Sequence, residues 1–460
     1  MNRTERLTIA VTGSALFMVV LDNLIVASTL PAIQRSLHTS LSSLEWVLNA
    51  YILAFAVLML TAAALGERYG RRRVFTAGVA LFTLSSAAGA LAPNAGTLIA
   101  ARAVEGIGGA VIMPLTLTMM TAAFPVERRG AALGIWAAIS GFGVALGPVA
   151  GGVLTDTLSW HWIFWVNVPI GIVVALAGAR VLAAGRGAHE RLDLAGVVLA
   201  SAGLLGVVYA TVRAEALGWT SAATLAAYAA GAALLGAFLW WERRSAHPMV
   251  PLRLFRSRAF LSANVANFLM AFAMFAGFLM LIQFFAHARG EGSLTVGLHT
   301  LFWTAMPMFV APYAGRLGKR LEPAAVASGG LLLVAAGMLG LALIESPGTT
   351  ALELAPAMVA IGAGIGLVIP NIAAAALGAV PPADIGKASG ILSTSRQVGS
   401  VAGVSVGLAI YEASAGPGAG GVASGVSVVL FAAAAAAALG ALAAGARLPA
   451  LAPVPAPAVS

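Results

Sequence analysis

Four ionisable side chains stand inside long apolar stretches of this sequence: Asp22, Arg102, Glu105 and Arg396. If those stretches cross a bilayer, charge there is costly, and such residues mark ion or substrate pathways. Arg102 and Glu105 are one helical turn apart. Asp22 reaches a similar depth on a helix running the other way, about 12 Å below the outer surface at roughly 1.5 Å per residue. Arg102 can therefore pair with either carboxylate. Burial and a neighbouring guanidinium pull the proton affinity of a carboxylate in opposite directions. A proton carrier needs that balance, because it must bind from one side and release to the other. The competing reading is a static ion pair in which Arg102 clamps two helices. Arg102 organises rather than titrates, since guanidinium stays protonated. Arg396, deep in another stretch, suits either an anionic or polar substrate or a structural bond to backbone carbonyls.

A second set of residues supplies geometry rather than charge. Gly134, Gly143, Gly147, Pro148, Gly151 and Gly152 fall in one apolar run. Gly143, Gly147 and Gly151 recur every four residues, so they share one helix face that another helix can approach closely. Pro148 removes a backbone donor and invites a kink. Ordinary tight packing is the plainer alternative. Elsewhere, Glu67, Arg68, Gly70, Arg71, Arg72 and Arg73 form a charged loop. Positive-inside anchoring explains its arginines but not Gly70 or the acid. A further stretch is rich in Phe and Met: Phe268, Met270, Phe272, Met274, Phe275, Phe278 and Met280. Most of these face lipid or pack. Phe272, Met274 and Phe275 are the candidates to line an apolar cavity with Arg396.

Membrane-spanning helices must position these residues. The 460-residue chain is 60% hydrophobic and 9% charged, against a usual charged fraction of roughly 25%; its mean hydropathy is +0.94. It contains fourteen apolar runs of about 20 residues, each long enough to cross a core of roughly 30 Å as a helix. The fold class expected is an all-α polytopic membrane protein. Glycines and prolines repeat at one offset: Gly134, Gly143, Gly147 and Gly151 recur 256 residues later as Gly390, Gly399, Gly403 and Gly407, and Gly106, Gly108 and Pro114 as Gly362, Gly364 and Pro370. At the positions equivalent to Arg102 and Glu105 stand Met358 and Ile361, so the charges are confined to the first copy. Such doubling is typical of secondary transporters, whose substrate sits between the halves near the midplane. The division expected is a six-helix bundle in 1–185, two extra helices and a basic cytoplasmic linker in 186–258, a second six-helix bundle in 259–446, and a disordered cytoplasmic tail in 447–460. The extra pair, near 193–213 and 221–241, has no partner in the repeat and is expected to pack loosely.

The net charge of +9 is a topology signal, not a mark of nucleic-acid binding. With the amino terminus inside, only Arg35, Arg213 and Arg289 fall outside, and 21 of the 26 Lys and Arg face the cytoplasm, which the orientation rule favours. Both termini are then cytoplasmic. The absence of cysteine excludes a disulfide framework and a thiolate metal site. No HExxH, GxSxG or GxxxxGK[ST] motif occurs, so no enzyme activity, no cofactor, no metal and no ATP drive is expected.

The sequence resembles the major facilitator superfamily, specifically its fourteen-helix drug–proton antiporter branch, over essentially its whole length. The resemblance is carried by Leu21 to Pro31 in the first run, Glu45-Trp46 through Phe55 in the second, Leu65 to Arg73 in the loop, Arg102 to Gly109, the ladder from Gly134 to Gly152, and Trp162 to Gly171. Three departures stand out. Ala63 and Glu67 replace the usual glycine and aspartate of the loop, Glu105 stands where a neutral amide is common, and Lys319 takes the acidic place in the second-half loop.

The resemblance implies a proton-coupled exporter of amphipathic small molecules such as drugs, dyes or antibiotics, working by alternating access in the cytoplasmic membrane of a bacterium. Its expected partners are a small substrate, protons and the lipid bilayer, with one copy of the chain as the working unit. Asp22, Glu105 and Arg102 would couple to protons. The ladder would seal the outer side and limit proton leak. The charged loop would latch the halves, its receptor being the amino end of the helix near Asp384–Lys387, whose dipole favours Glu67. Export of an endogenous metabolite or lipid fits the same motifs, and a membrane sensor is the non-transport alternative.

Overall fold

The computed structural model describes residues 2–39, 41–125, 128–182, 193–218, 220–245, 248, 250–381 and 384–446, and the expected tail 447–460 lies outside them. Every regular element in those residues is helical. The order is α1 (Arg3–Leu37), α2 (Leu41–Tyr69), α3 (Arg71–Ala90), α4 (Ala95–Ala122), α5 (Arg129–Thr157), α6 (Trp162–Trp165) and α7 (Asn167–Val181). Then come α8 (Leu194–Leu217), α9 (Ala222–Glu242), α10 (Arg258–Gln283), α11 (Ser293–Thr304), α12 (Met306–Leu321), α13 (Pro323–Ile344), α14 (Ala351–Gly378), α15 (Ile385–Ser414) and α16 (Gly418–Gly445).

Polar caps set the helix starts inside an otherwise apolar chain. Asn2 and Glu5 form a reciprocal capping box on α1, and Thr350 and Glu353 do the same on α14. Asn94, Asp193 and Ser221 cap α4, α8 and α9 by accepting from the third backbone N–H. Gly70, between α2 and α3, has φ of 95°, a conformation that side chains with a Cβ resist. That accounts for the glycine that anchoring alone left unexplained.

Eleven segments in the described residues are long and apolar enough to cross a membrane. The other three long helices are α2, α8 and α15; the described apolar stretches of α2 and α8 are Trp46–Met59 and Ala195–Thr211. In α15, Lys387, Arg396, Gln397 and several serines dilute the hydropathy.

Packing divides the helices. Helix α1 lies on α4, α5 and α7, α2 on α4, and α3 on α4 and α7. Leu16, Val19, Tyr51, Phe55, Phe75, Phe82 and Ile112 form their core. Helix α10 lies on α14, α15 and α16, and α13 on α14 and α16, around Met280, Trp303, Met338, Ile361 and Leu430. Between the two groups, α5 meets α11 and α12, and α2 meets α15. Outward faces carry large apolar side chains such as Leu84, Val173, Leu343 and Leu352, suited to lipid.

The extra pair corrects the expectation of loose packing. Helices α8 and α9 touch at Gly203, Gly206 and Gly231, where a methyl group added to Gly206 would lie 2.9 Å from the Gly231 Cα. Small residues let these two backbones meet directly.

Candidate functional site

The buried charges converge. Arg102 Nη1 donates to Asp22 Oδ2 and to Glu105 Oε2, both at 2.6 Å, and all three side chains have 0% exposure. One nitrogen thus bridges carboxylates from α1 and α4. Arg102 Nε donates to the Val47 carbonyl of α2 at 3.4 Å, and the guanidinium lies 4.2 Å from the Tyr51 ring centroid. Asn167, at the first residue of α7, donates through Nδ2 to Asp22 Oδ1 and to Ser86 Oγ, each at 3.1 Å. Ser86 in turn donates to the Phe164 carbonyl at 3.1 Å. Six helices therefore hold Asp22 and its partners: α1, α2, α3, α4, α6 and α7.

The network is not fully paired. Among the described residues, Glu105 Oε1, Arg102 Nη2, Tyr51 Oη and Asn167 Oδ1 are buried with no hydrogen-bond partner. Buried polar atoms left unpaired each cost about 1–3 kcal/mol.

The glycine ladder faces α1. A methyl group at Gly143 would lie 3.1 Å from Val20, at Gly147 2.7 Å from Leu24, and at Gly151 3.0 Å from the Ile25 carbonyl oxygen. The ladder thus presses α5 onto the helix that carries Asp22. A methyl group added to Gly134 would have no described atom within 4 Å. Helix α5 continues unbroken through Pro148. The Pro148 carbonyl oxygen lies 2.8 Å from where a methyl on Gly297 would sit, so α5 and α11 meet backbone to backbone across the two groups.

A cavity with an empty volume of about 1140 Å³, its mouth included, lies between the two groups of helices. Met274, Phe275 and Arg396 line it. Phe272 does not: its backbone packs against Gly403 of α15, and Phe278 lines the wall instead. Phe55, Met113, Trp136 and Trp303 help complete a largely apolar surface with a few polar groups, Asn23, Ser140, Thr304 and Gln397.

In the charged loop, Arg72 donates to the Leu182 carbonyl at the end of α7, at 3.4 Å, within the first group of helices. Arg68 is exposed, 5.4 Å from the Tyr69 ring centroid. The Glu67 side chain lies outside what the structure describes. At the expected receptor, Asp384 is paired with Arg253 at 2.9 Å, and Lys387 donates to the Pro248 carbonyl.

Residues 12–404 match the Major Facilitator Superfamily, and residues 265–458 match it again. The chain belongs to this superfamily. It is 38% identical over 408 residues to the multidrug resistance protein Stp of Mycobacterium tuberculosis (strain CDC 1551 / Oshkosh), covering 88% of this chain and 76% of that one. It is 33% identical to the tetracenomycin C resistance and export protein of Streptomyces glaucescens, over 87% of this chain and 74% of that one. With the cephamycin export protein CmcT of Amycolatopsis lactamdurans it shares 37% identity, over 88% and 86%. Membership makes the chain a multi-pass membrane transporter and not an enzyme, which sets the sensor alternative aside.

Within this facilitator, two site residues escaped sequence reasoning. Asn167 lies within the Trp162 to Gly171 stretch, yet its bond to Asp22 spans 145 residues. Tyr51 lies within the second-helix stretch, and its ring under Arg102 is a tertiary contact. The signal available was membership of those stretches, not a chemical type.

Proposed function

We propose that the chain is a proton-driven exporter of amphipathic small molecules, working by alternating access, in the fourteen-helix drug–proton antiporter branch of the superfamily. The observation that carries this reading is Arg102 Nη1 held 2.6 Å from both Asp22 and Glu105, with Glu105 Oε1 and Arg102 Nη2 left unpaired beside them. Two carboxylates and one guanidinium carry a net charge of −1 when both acids are ionised, and one bound proton neutralises the set. Such a site can load and release a proton without moving a helix-packing residue. Small-molecule export is further supported by relatives whose names specify multidrug resistance and export of tetracenomycin C or cephamycin.

In this reading α6 with α7, and α11 with α12, each form one span, and α2, α8 and α15 cross as well, giving fourteen. Bundles 1–185 and 259–446 rock about the central cavity, with 186–258 supplying the extra pair and linker. Both termini are cytoplasmic, in a bacterial cytoplasmic membrane, and a monomer suffices. The ladder on α5, with Gly147, Pro148 and Gly151 between α1 and α11, keeps one side sealed against protons. The loop of Glu67, Arg68, Gly70, Arg71 and Arg72 closes the cytoplasmic side. Substrate occupies the cavity lined by Met274, Phe275 and Arg396.

The test is transport by purified protein in liposomes. An imposed pH gradient should drive accumulation of substrates drawn from a drug and dye panel, and substrate addition should move protons the other way. Substrate flux that persists unchanged with no proton or potential gradient, and no counter-movement of protons, overturns the reading.

A further inference from the structure

The cavity wall is chemically one-sided. Among its described lining residues there is no Asp or Glu, and the one formal charge is Arg396 of α15. Its guanidinium makes no ion pair or hydrogen bond with any described residue, backbone carbonyls included. The acids nearest in sequence to the wall, Asp22 beside Asn23 among them, do not reach it: Asp22 and Glu105 are committed to Arg102 and are absent from the lining. Next to Arg396 stands Gln397, a second hydrogen-bonding group on the same wall. The rings of Trp136, Phe275, Phe278 and Trp303 line the same cavity.

A guanidinium in a low-dielectric cavity without a partner is a charge awaiting its complement. Its planar fork matches a carboxylate or sulfonate by two parallel hydrogen bonds. A cationic ligand in the same space would meet uncompensated repulsion. We infer that this facilitator exports amphipathic monoanions: molecules with one carboxylate or similar acidic group bound by Arg396 and an aromatic body held by the Trp and Phe rings.

The inference rests on the export reading and sets its energetics. One proton entering for each monoanion leaving moves two positive charges inward in effect, so an inside-negative potential drives the exchange in addition to the pH gradient. A monocation exchanged one for one would be insensitive to the potential.

The experiment uses the full chain, in lipid nanodiscs for binding and in liposomes for flux, with three fluorescent probes: the monoanion anilinonaphthalenesulfonate, neutral Nile red and the monocation ethidium. Wild type should bind and move the monoanion, faster with an inside-negative potential. Arg396→Gln should weaken monoanion binding by roughly thirtyfold or more, while Arg396→Lys, which keeps the charge but loses the fork, recovers part of it. Unchanged thermal unfolding of both variants shows that the fold is intact. Gradient-driven movement of ethidium or Nile red with none of the monoanion overturns this inference and leaves the export reading standing. Equal monoanion binding by wild type and Arg396→Gln also overturns it. Arg396-dependent binding of the monoanion without any gradient-driven flux upholds the site and overturns the proton-driven reading instead.

Discussion

Asn167 donates a 3.1 Å hydrogen bond to Asp22 Oδ1, on the opposite carboxylate oxygen from the one that Arg102 holds. The carboxylate is therefore gripped from α4 by a charge and from α7 by a neutral amide. An amide cannot take the proton that Asp22 binds, so Asn167 fixes orientation without competing for it. The break between α6 and α7 places Asn167 at the first turn of its helix, beside Ser86 and the Phe164 carbonyl.

Removing that grip should loosen coupling more than substrate recognition. Asn167→Ala deletes a buried hydrogen bond to a charged group, a loss of about 1.5–3 kcal/mol. The expected outcome is a lower unfolding temperature and a several-fold fall in pH-driven flux, with substrate affinity nearly unchanged. Equilibrium binding and liposome flux on the same preparation check this. An affinity loss as large as the flux loss would place Asn167 in the substrate site.

Asp22→Asn should abolish proton-coupled export and leave the protein folded in the membrane. Arg102 would keep Glu105, and the isosteric amide removes a buried charge rather than adding one. Normal efflux dependent on the pH gradient, measured with the purified variant in liposomes, would exclude Asp22 as a carrier.

The charged centre was legible in the sequence because an ionisable residue inside an apolar run is rare and costly. Asp22, Arg102 and Glu105 announced themselves, and simple helical rise placed them at one depth. The helical architecture followed from the same apolar runs. Asn167 and Tyr51 gave no such signal, since neutral amides and rings are ordinary within spans and only tertiary contact joins them to Asp22 and Arg102. Phe272 was misplaced for want of helix phase. At roughly 100° per residue it lies about 120° around α10 from Phe278, so it meets Gly403 while Phe278 faces the cavity. The tight crossing of Gly206 on Gly231 was hidden because neither glycine recurs in the repeat.

That crossing changes what two glycine substitutions should do. Gly147→Leu and Gly206→Leu both force bulk between touching helices, 2.7 Å from Leu24 and 2.9 Å from Gly231 in their first added carbon. Overpacking of this kind costs about 1–3 kcal/mol, so both variants should lose thermal stability. Only Gly147→Leu disturbs the α1–α5 seam beside Asp22 and the α5–α11 contact. It should raise passive proton leak and stop coupled flux, while Gly206→Leu stays tight to protons. A pH-sensitive dye trapped in the liposomes reports the leak. Equal leak in both would remove the ladder's claim to a sealing role.

Stability should also depend on pH through Glu345, just beyond the end of α13. Burial pushes its carboxyl up to about 8, against the opposing hydrogen bond from Ser427, which donates at 2.8 Å. Folding thus favours the protonated acid. Its contribution is fully present below the ordinary value of 4.5 and is lost as pH rises through about 8. Glu345→Gln should match wild type near the acid end of that window and exceed it in unfolding temperature, by roughly 3 °C or more, above its upper end. Thermal scans of both proteins across the window check the sign. A variant less stable than wild type at high pH contradicts it.

Glu105 decides how many protons move. It shares Arg102 Nη1 with Asp22 at equal distance, so the two acids should titrate as a coupled set rather than independently. Among the described residues its second oxygen makes no hydrogen bond of good geometry, with the Ser86 hydroxyl beside the carboxylate. If both acids carry protons, Glu105→Gln should lower the proton-to-substrate ratio while transport continues through Asp22. If Glu105 only braces α4 against α1, the variant should keep the ratio and lose thermal stability. Reversal potentials in liposomes, taken on wild type and variant side by side, separate the two. A fall in the ratio would make Glu105 a second carrier beside Asp22. An unchanged ratio would reduce Glu105 to a helix clamp and leave Asp22 as the single carrier in the site.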